Sequence, residues 1–480
     1  MDESEKRFEY DIEQYFITHG YQQFSYQDEN HHWIYKHNYD IDRAIYLDVL
    51  VDFIEKTQPK EWARYKKYYG DGAPNKLYKR FEECVNNDGL IHVLRHGIKD
   101  LGIKLNLCYF KPESELNENL LEKYSQNILS VTRQFAYSKM NNNTIDMVLS
   151  LNGIPLVAFE LKNQLKGQDY TDAITQFKFD RDPKEFCFKL NHRFLVYFAV
   201  DLYEAWMTTQ LQGPNTYFLP FNQGSNGAGK NGGKGNPPNP NGYATAYLWE
   251  KVFSKDSFLS LIQKFISYTI VKSDKVVNGI TKEVKTPRLI FPRYHQYDVV
   301  NKIMESVKEK GAGTDYLIQH SAGSGKSNSI AWLAYRLASI HDANNIPIYT
   351  SVIIVTNRVV LDSQLQDTIN SFDHVPGLVE AITDKKRSRG LSDAINDKKR
   401  IIICTIQKFL FAYKDFDDLT GCNFAIIVDE AHQGQNGESA KTLKRSLIDK
   451  KEAVKDYAEE ECVDDNEIDL EDEIVSKIIA

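Results

Sequence analysis

The sequence is poor in cysteine, lacks any long apolar run and has no overall positive charge. Its six cysteines, at positions 84, 108, 187, 404, 422 and 462, lie far apart without a Cys-x-x-Cys pair. That excludes a disulfide framework or a structural zinc site and fits free thiols in a reducing cytoplasm. No stretch approaches the ~20 apolar residues of a membrane span, so no membrane is expected among the partners. The opening Met1-Asp2-Glu3-Ser4-Glu5-Lys6 is acidic and polar, unlike a secretory signal, and a cytoplasmic location is expected. The net charge of −8 at first argues against a nucleic-acid partner. From Glu452 to Glu473, however, twelve acidic residues and one lysine give a local net of −11, which leaves +3 for the rest. A mildly positive body with one acidic segment is compatible with a DNA channel.

A chain of 480 residues has room for two or three domains. Residues 1 to about 120 mix aromatic-rich segments with helical patterns at 41–55 and 77–97, and carry no motif with evident chemistry. Residues 222–242 are almost entirely Asn, Gly, Pro and Lys, a composition that cannot form a core and predicts a long flexible surface loop. A helix is expected over 257–270 and a polar linker over 273–286. Alternating apolar strands and helices follow, with strands expected at 315–319, 351–356, 400–405 and 424–429. That alternation predicts an α/β fold with a parallel, doubly wound sheet. The expected division is 1–272, linker 273–286, and 287–480.

Thr144–Leu151 and Pro155–Lys162 are strand candidates on either side of Asn152-Gly153, a hairpin signal. Their apolar residues (Ile145, Met147, Leu149 and Leu151; Val157, Phe159 and Leu161) are all odd-numbered. Both stripes share one side only if paired residue numbers sum to an even value. A strict two-residue loop pairs 151 with 154, an odd sum, so a three-residue loop or a bulge is expected. In that register the even-numbered Asp146, Glu160 and Lys162 emerge together on the other face. Two converging carboxylates suit a hard divalent cation such as Mg²⁺, with Lys162 placed to orient a nucleophile or neutralise charge. The alternative for the same three residues is an ordinary solvated strand face.

A second signature is Ser321-Ala322-Gly323-Ser324-Gly325-Lys326-Ser327 between the expected strand and a helix over 328–338. Glycines let backbone N–H groups wrap phosphate oxygens, and a helix N-terminus adds a favourable dipole. Gly323, Ser324 and Gly325 would form the cradle, Lys326 would reach the β- and γ-phosphates of ATP, and Ser327 would ligate Mg²⁺. His320 stands where the usual first glycine is found. Apolar residues 425–428 then deliver Asp429-Glu430-Ala431-His432 at a strand end, with Asp429 assigned to Mg²⁺ and Glu430 to the attacking water.

With these two signatures the chain resembles the superfamily 2 helicase-like motors. Pro292-Arg293-Tyr294-His295-Gln296 resembles their adenine-reading motif, with Gln296 as the adenine contact. Val355-Thr356-Asn357-Arg358 with Leu361-Asp362 and Gln364-Leu365, and Cys404 to Phe409, resemble their DNA-tracking motifs. Nuclease first, Gly/Asn-rich loop next and motor last is an order similar to the restriction (R) subunit of type I restriction-modification enzymes. That resemblance extends to residues 154–163 and 429–435. It implies a PD-(D/E)xK nuclease-like domain followed by a RecA-like lobe, cleavage of double-stranded DNA coupled to ATP-driven translocation, and modification (M) and specificity (S) subunits as partners. The family's Gln followed four residues later by Tyr is matched only by Gln176, since Asp180 holds the second position. The chain ends before the third helicase motif is expected, so a second lobe with its arginine finger is expected to be missing and turnover by the chain alone to be inefficient. Two other readings stay open: a non-enzymatic module that binds DNA, nucleotide or the modification complex, and a type III nuclease–motor, against which the domain order counts.

Overall fold

The computed structural model describes residues 3–113, 117–164, 167–277, 280–321, 323–356, 369, 379–381, 389–405 and 422–429. The tracking-motif residues 357–365 and 406–409, Glu430 to Gln435 and the acidic stretch 452–473 lie outside the described residues. The chain forms two compact units, Met1–Asp298 and Val299–Ala480.

The first unit is built on a mixed seven-stranded sheet. Its strands, in spatial order, are β1 (Gln22–Gln23), β2 (Leu129–Ala136), β3 (Thr144–Leu151), β4 (Ile154–Leu161), β5 (Val196–Val200), β6 (Ala205–Thr208) and β7 (Leu219–Pro220). β1 runs parallel to β2 and β4 parallel to β5, whereas the other neighbours are antiparallel. Between β3 and β4, Asn152 (φ 49°) and Gly153 (φ 82°) both adopt left-handed backbone, as a tight two-residue hairpin turn with the twist of its strands requires. Leu151 pairs with Ile154 and Ser150 with Pro155, both odd sums. Past Leu156 the pairs are Leu149–Val157, Val148–Ala158 and Met147–Phe159, all even. Leu156 is therefore the inserted residue of a β-bulge, which reconciles the two-residue turn with the apolar stripes.

Both faces of this hairpin are covered, so the even-numbered face is not solvated. Odd-numbered Met147, Phe159 and Leu161 meet Ile12 and Phe16 of helix α1 (Glu3–Thr18), together with Leu248 and Trp249. On the other face Val148 and Ala158 pack with Tyr197 and Ala199 under Ala173 and Phe177. A polar residue on that face thus sits beneath a helix and must find partners inside the protein.

Several local expectations change in the structure. The pattern at 41–55 becomes helix α2 (Leu47–Thr57), and that at 77–97 becomes α3 (Ala73–Asp88) and α4 (Leu90–His96). The break is Gly89, whose φ of 82° and approach to Asn191 leave no room for a side chain: a Cβ would lie 2.0 Å from Nδ2. Residues 222–242 hold no helix or strand, as expected, but they close on themselves. Gly224 donates to Gly235 O at 2.8 Å, and Asn236 Nδ2 donates to Tyr203 O at 2.8 Å. The Ala173 and Phe177 cover belongs to helix α5 (Tyr170–Phe179), and a short helix α6 (Lys255–Ser260) passes into a π-helical turn at Leu261–Phe265. The helix expected to reach 270 therefore stops early. The expected linker at 273–286 lies within a two-stranded antiparallel hairpin, β8 (Ser267–Val277) and β9 (Ile280–Ile290), paired along its whole length. Its valines and threonines favour extended backbone without demanding burial.

In the second unit, parallel strands lie in the order β11 (Val379–Ala381), β12 (Ile401–Thr405), β10 (Ser351–Thr356) and β13 (Phe424–Val428). Helix α7 (Tyr294–Lys310) leads into this unit, where α8 (Lys326–Ser339) buries Trp332, Leu333, Ala334 and Leu337. The strand expected at 315–319 does not form. No described strand pairs with it, and Leu317 is 90% exposed. Apolar residues alone do not make a strand when no neighbour supplies a ladder.

Candidate active site

The hairpin sets the nuclease candidates side by side. Asp146 on β3 and Glu160 on β4 stand opposite one another beyond the bulge, and the chain leaves β4 at Lys162. All three are buried, Glu160 completely. Asp146 Oδ2 accepts the backbone N–H of Leu161 at 2.8 Å and lies 3.7 Å from Lys162 Nζ. The turn of the main chain after Glu160 is thereby fixed to the facing carboxylate. The loop beyond is held by buried Asp201, whose Oδ2 accepts Gln164 Nε2 at 3.0 Å and the N–H of Tyr170 at 3.1 Å.

Glu160 has a partner that strand alternation does not reveal. Arg181 donates to Oε1 from both Nε (2.9 Å) and Nη2 (2.6 Å), and its Nη2 also donates to the carbonyl of Thr144 at 2.8 Å. Oε2 has no hydrogen-bond partner although it is buried. Burial first, and then the charge of Asp146, push the Glu160 pKa well above the usual carboxylate range; Arg181 and Lys162 pull it back. The cluster therefore holds two carboxylates and two cations in a low-dielectric setting, with one carboxylate oxygen unused. Among the described residues no group of three or more His, Cys, Asp or Glu side chains could hold a metal. A cation here would take two protein carboxylates and complete its shell with other oxygens, in keeping with the habit of Mg²⁺ to retain water. Gln176, on α5, is half-buried, and its backbone carbonyl accepts the N–H of Asp180 at 2.9 Å, at the end of the helix that leads to Arg181.

In the second signature the turn into the following helix forms even though the preceding strand is absent. Gly323 (φ 72°) and Gly325 (φ 84°) are left-handed, and Gly325 occupies the cap position before Lys326 and Ser327 open α8. Ser324 is buried and its N–H donates to Ser321 O at 3.2 Å, which closes the turn. Asp429 directly follows β13, and its N–H donates to Val355 O at 3.0 Å. It thus lies at the carboxyl end of the parallel sheet, where open α/β sheets bind ligands. Gln296, within the first unit, is buried, and its Oε1 accepts the N–H of Arg293 at 2.9 Å, capping the start of α7. Glu430 lies outside the described residues.

Residues 3–216 match the family described as the type I restriction enzyme R protein N terminus, and residues 295–452 match the SWI2/SNF2 ATPase family. The chain carries the N-terminal region of type I restriction enzyme R proteins followed by a SWI2/SNF2 ATPase region. The order of the two matches is the nuclease-then-motor order read from the motifs, and the ATPase match implies ATP as a ligand. Among its relatives, the type I restriction enzyme HindI endonuclease subunit of Haemophilus influenzae is 27% identical over 309 residues, covering 62% of this chain and 26% of that protein. The type I restriction enzyme SsaAORF53P endonuclease subunit of Staphylococcus saprophyticus is 22% identical over 398 residues, covering 79% of this chain and 36% of that protein. The chain thus spans about a quarter to a third of the length of these relatives. No described helix is long and apolar enough to cross a membrane.

Proposed function

We propose that this R-family chain cleaves double-stranded DNA at Asp146, Glu160 and Lys162, and that its second unit is the first RecA-like lobe of an ATP-driven translocase working beside modification and specificity subunits. The observation that carries the nuclease reading is the convergence of Asp146 and Glu160 across a bulged hairpin, with Glu160 Oε2 buried and unpartnered. An orphaned buried carboxylate oxygen is costly unless something else completes it. The donor set, two hard oxygen ligands and no thiolate or imidazole, fits Mg²⁺. Bound there, a divalent cation supplies an activated water and a counter-charge for the scissile phosphate. The protein does the rest. Leu161 N–H fixes Asp146, and Lys162, close to Asp146 Oδ2, can orient a water or neutralise an added phosphate oxygen. Burial excludes bulk solvent and strengthens each of these charges.

In the second unit Gly323, Ser324 and Gly325 cradle phosphates, Lys326 contacts the outer two, Ser327 with Asp429 holds Mg²⁺, and Glu430 orients the attacking water; Gln296, which falls within the first unit, has only the adenine role that the motif resemblance implies. The test is a complex reconstituted with modification and specificity subunits. Asp146→Ala and Glu160→Ala are each expected to abolish cutting while DNA-stimulated ATP hydrolysis stays at the wild-type level. Unimpaired cleavage by both variants would place the cutting residues elsewhere.

A further inference from the structure

The geometry points to Arg181 as the residue that positions Glu160 for the cation, setting the separation of the two carboxylate-bearing strands. The inference deepens the proposed metal-dependent nuclease site and rests on it. Arg181 follows α5 and is almost wholly buried. Its guanidinium holds one oxygen of Glu160 with two N–H groups and leaves the other bare. A two-sided arginine–carboxylate pair would occupy both oxygens; this grip fixes the carboxylate plane and keeps Oε2 available. The same Nη2 donates to the carbonyl of Thr144, two residues before Asp146. Arg181 therefore touches the strand of each ligand at once and ties the start of β3 to the end of β4. The Tyr137 ring, 5.3 Å from the guanidinium carbon, confines it from one side. Partners of this kind, which hold a ligand without touching the metal, typically alter metal affinity by about 10–100-fold when removed.

A second buried arginine provides the control. Arg133 on β2 pairs with Glu9 at 2.8 Å and Glu13 at 3.4 Å, and stands opposite Met147, on the sheet face that meets α1. It shares the burial and the ion pairing of Arg181 but neither of its partners.

The experiment titrates the full chain with Mn²⁺ by calorimetry, without nucleotide, and follows thermal unfolding in parallel. Wild type is compared with Glu160→Ala, Arg181→Met, Arg181→Lys and Arg133→Met. Glu160→Ala is expected to lose binding at this site. Arg181→Met is expected to weaken it by about 10–100-fold, with partial rescue in Arg181→Lys, which keeps the charge but cannot reproduce the planar grip. Arg133→Met is expected to lower the unfolding temperature and leave Mn²⁺ affinity unchanged. Wild-type affinity in Arg181→Met, beside lost binding in Glu160→Ala, would overturn the positioning role while the metal site stands. Should Arg181→Met not fold, wild-type affinity in Arg181→Lys overturns it equally. An equal loss of affinity in Arg133→Met would also overturn it, as a general effect of destabilisation. Retained binding in Glu160→Ala would remove the metal site itself, and this inference with it.

Discussion

Glu160 and Arg181 show what reading residues one at a time can and cannot supply. Alternation along two strands brings Asp146, Glu160 and Lys162 to one face because the strand period is fixed. Arg181 arrives from beyond a helix, and no local period connects it to Glu160; only tertiary packing does. The same separation hides His192. Its Nε2 lies 2.9 Å from Asn86 Oδ1, and burial, followed by the charges of Arg193 and Lys189, lowers its pKa from 6.5 to about 4. The nearby Glu82, 3.8 Å from Nδ1, is itself engaged by Arg193. Between these two pKa values the unfolded chain binds a proton that the folded chain refuses. This residue's contribution therefore erodes as pH falls from 6.5 towards 4. In denaturant unfolding, His192→Gln is expected to flatten the loss of stability over that window relative to wild type. Parallel pH profiles for the two proteins would show that His192 does not titrate this way.

At the level of elements, the hairpin was legible and its neighbours were less so. Stripe parity with an Asn-Gly turn demanded either a longer loop or a bulge, and the bulge at Leu156 is what the chain uses. Three of the four strands expected in the second unit form within a residue of their predicted bounds, because each is a continuous apolar run with neighbours on hand. The 315–319 segment has a similar composition but no ladder, and the 267–290 hairpin has a full ladder but a polar composition. Composition reports burial more directly than it reports pairing. The turn itself allows a controlled test. A Cβ on Gly153 would lie 2.3 Å from the carbonyl oxygen of Tyr46, whereas one on Gly102, also left-handed (φ 73°), would meet nothing within 4 Å. Gly102→Ala is expected to cost about 1 kcal/mol for conformation alone. Gly153→Ala adds a backbone clash and is expected to cost about 2–4 kcal/mol in total. Equal midpoints of chemical unfolding for the two variants would dismiss the close approach as a constraint.

Over the whole molecule, the residues of the two proposed chemistries fall in separate compact units, except that Gln296 falls within the first. Lys326→Ala is expected to weaken ATP binding at least about tenfold, the scale of one lost charge-assisted phosphate contact. Mn²⁺ binding at Asp146 and Glu160 should be unaffected. Fluorescent-nucleotide and metal titrations of the same variant read both, and a joint loss would contradict the division of labour. The family and the order of its parts were readable because phosphate-binding and metal-binding chemistry tolerate few alternatives to glycine, lysine and carboxylate at fixed spacing. Residues 1 to about 120 carry no comparable constraint, and their role was not readable.

Their role is visible at the blunt end of the hairpin. Buried Asn152 donates to Leu107 O at 2.8 Å and accepts the N–H of Ile128 at 2.7 Å, while Gly153 O accepts the N–H of Tyr46 at 2.9 Å. The hairpin is thus a beam clamped at its turn by this region, with Asp146 and Glu160, the proposed site, at the far end. Loosening the clamp, by proteolytic nicking or by mutation near Tyr46 or Leu107, is expected to disturb the alignment of Asp146 and Glu160. Residues without chemistry of their own thus serve as the anchorage of the proposed site.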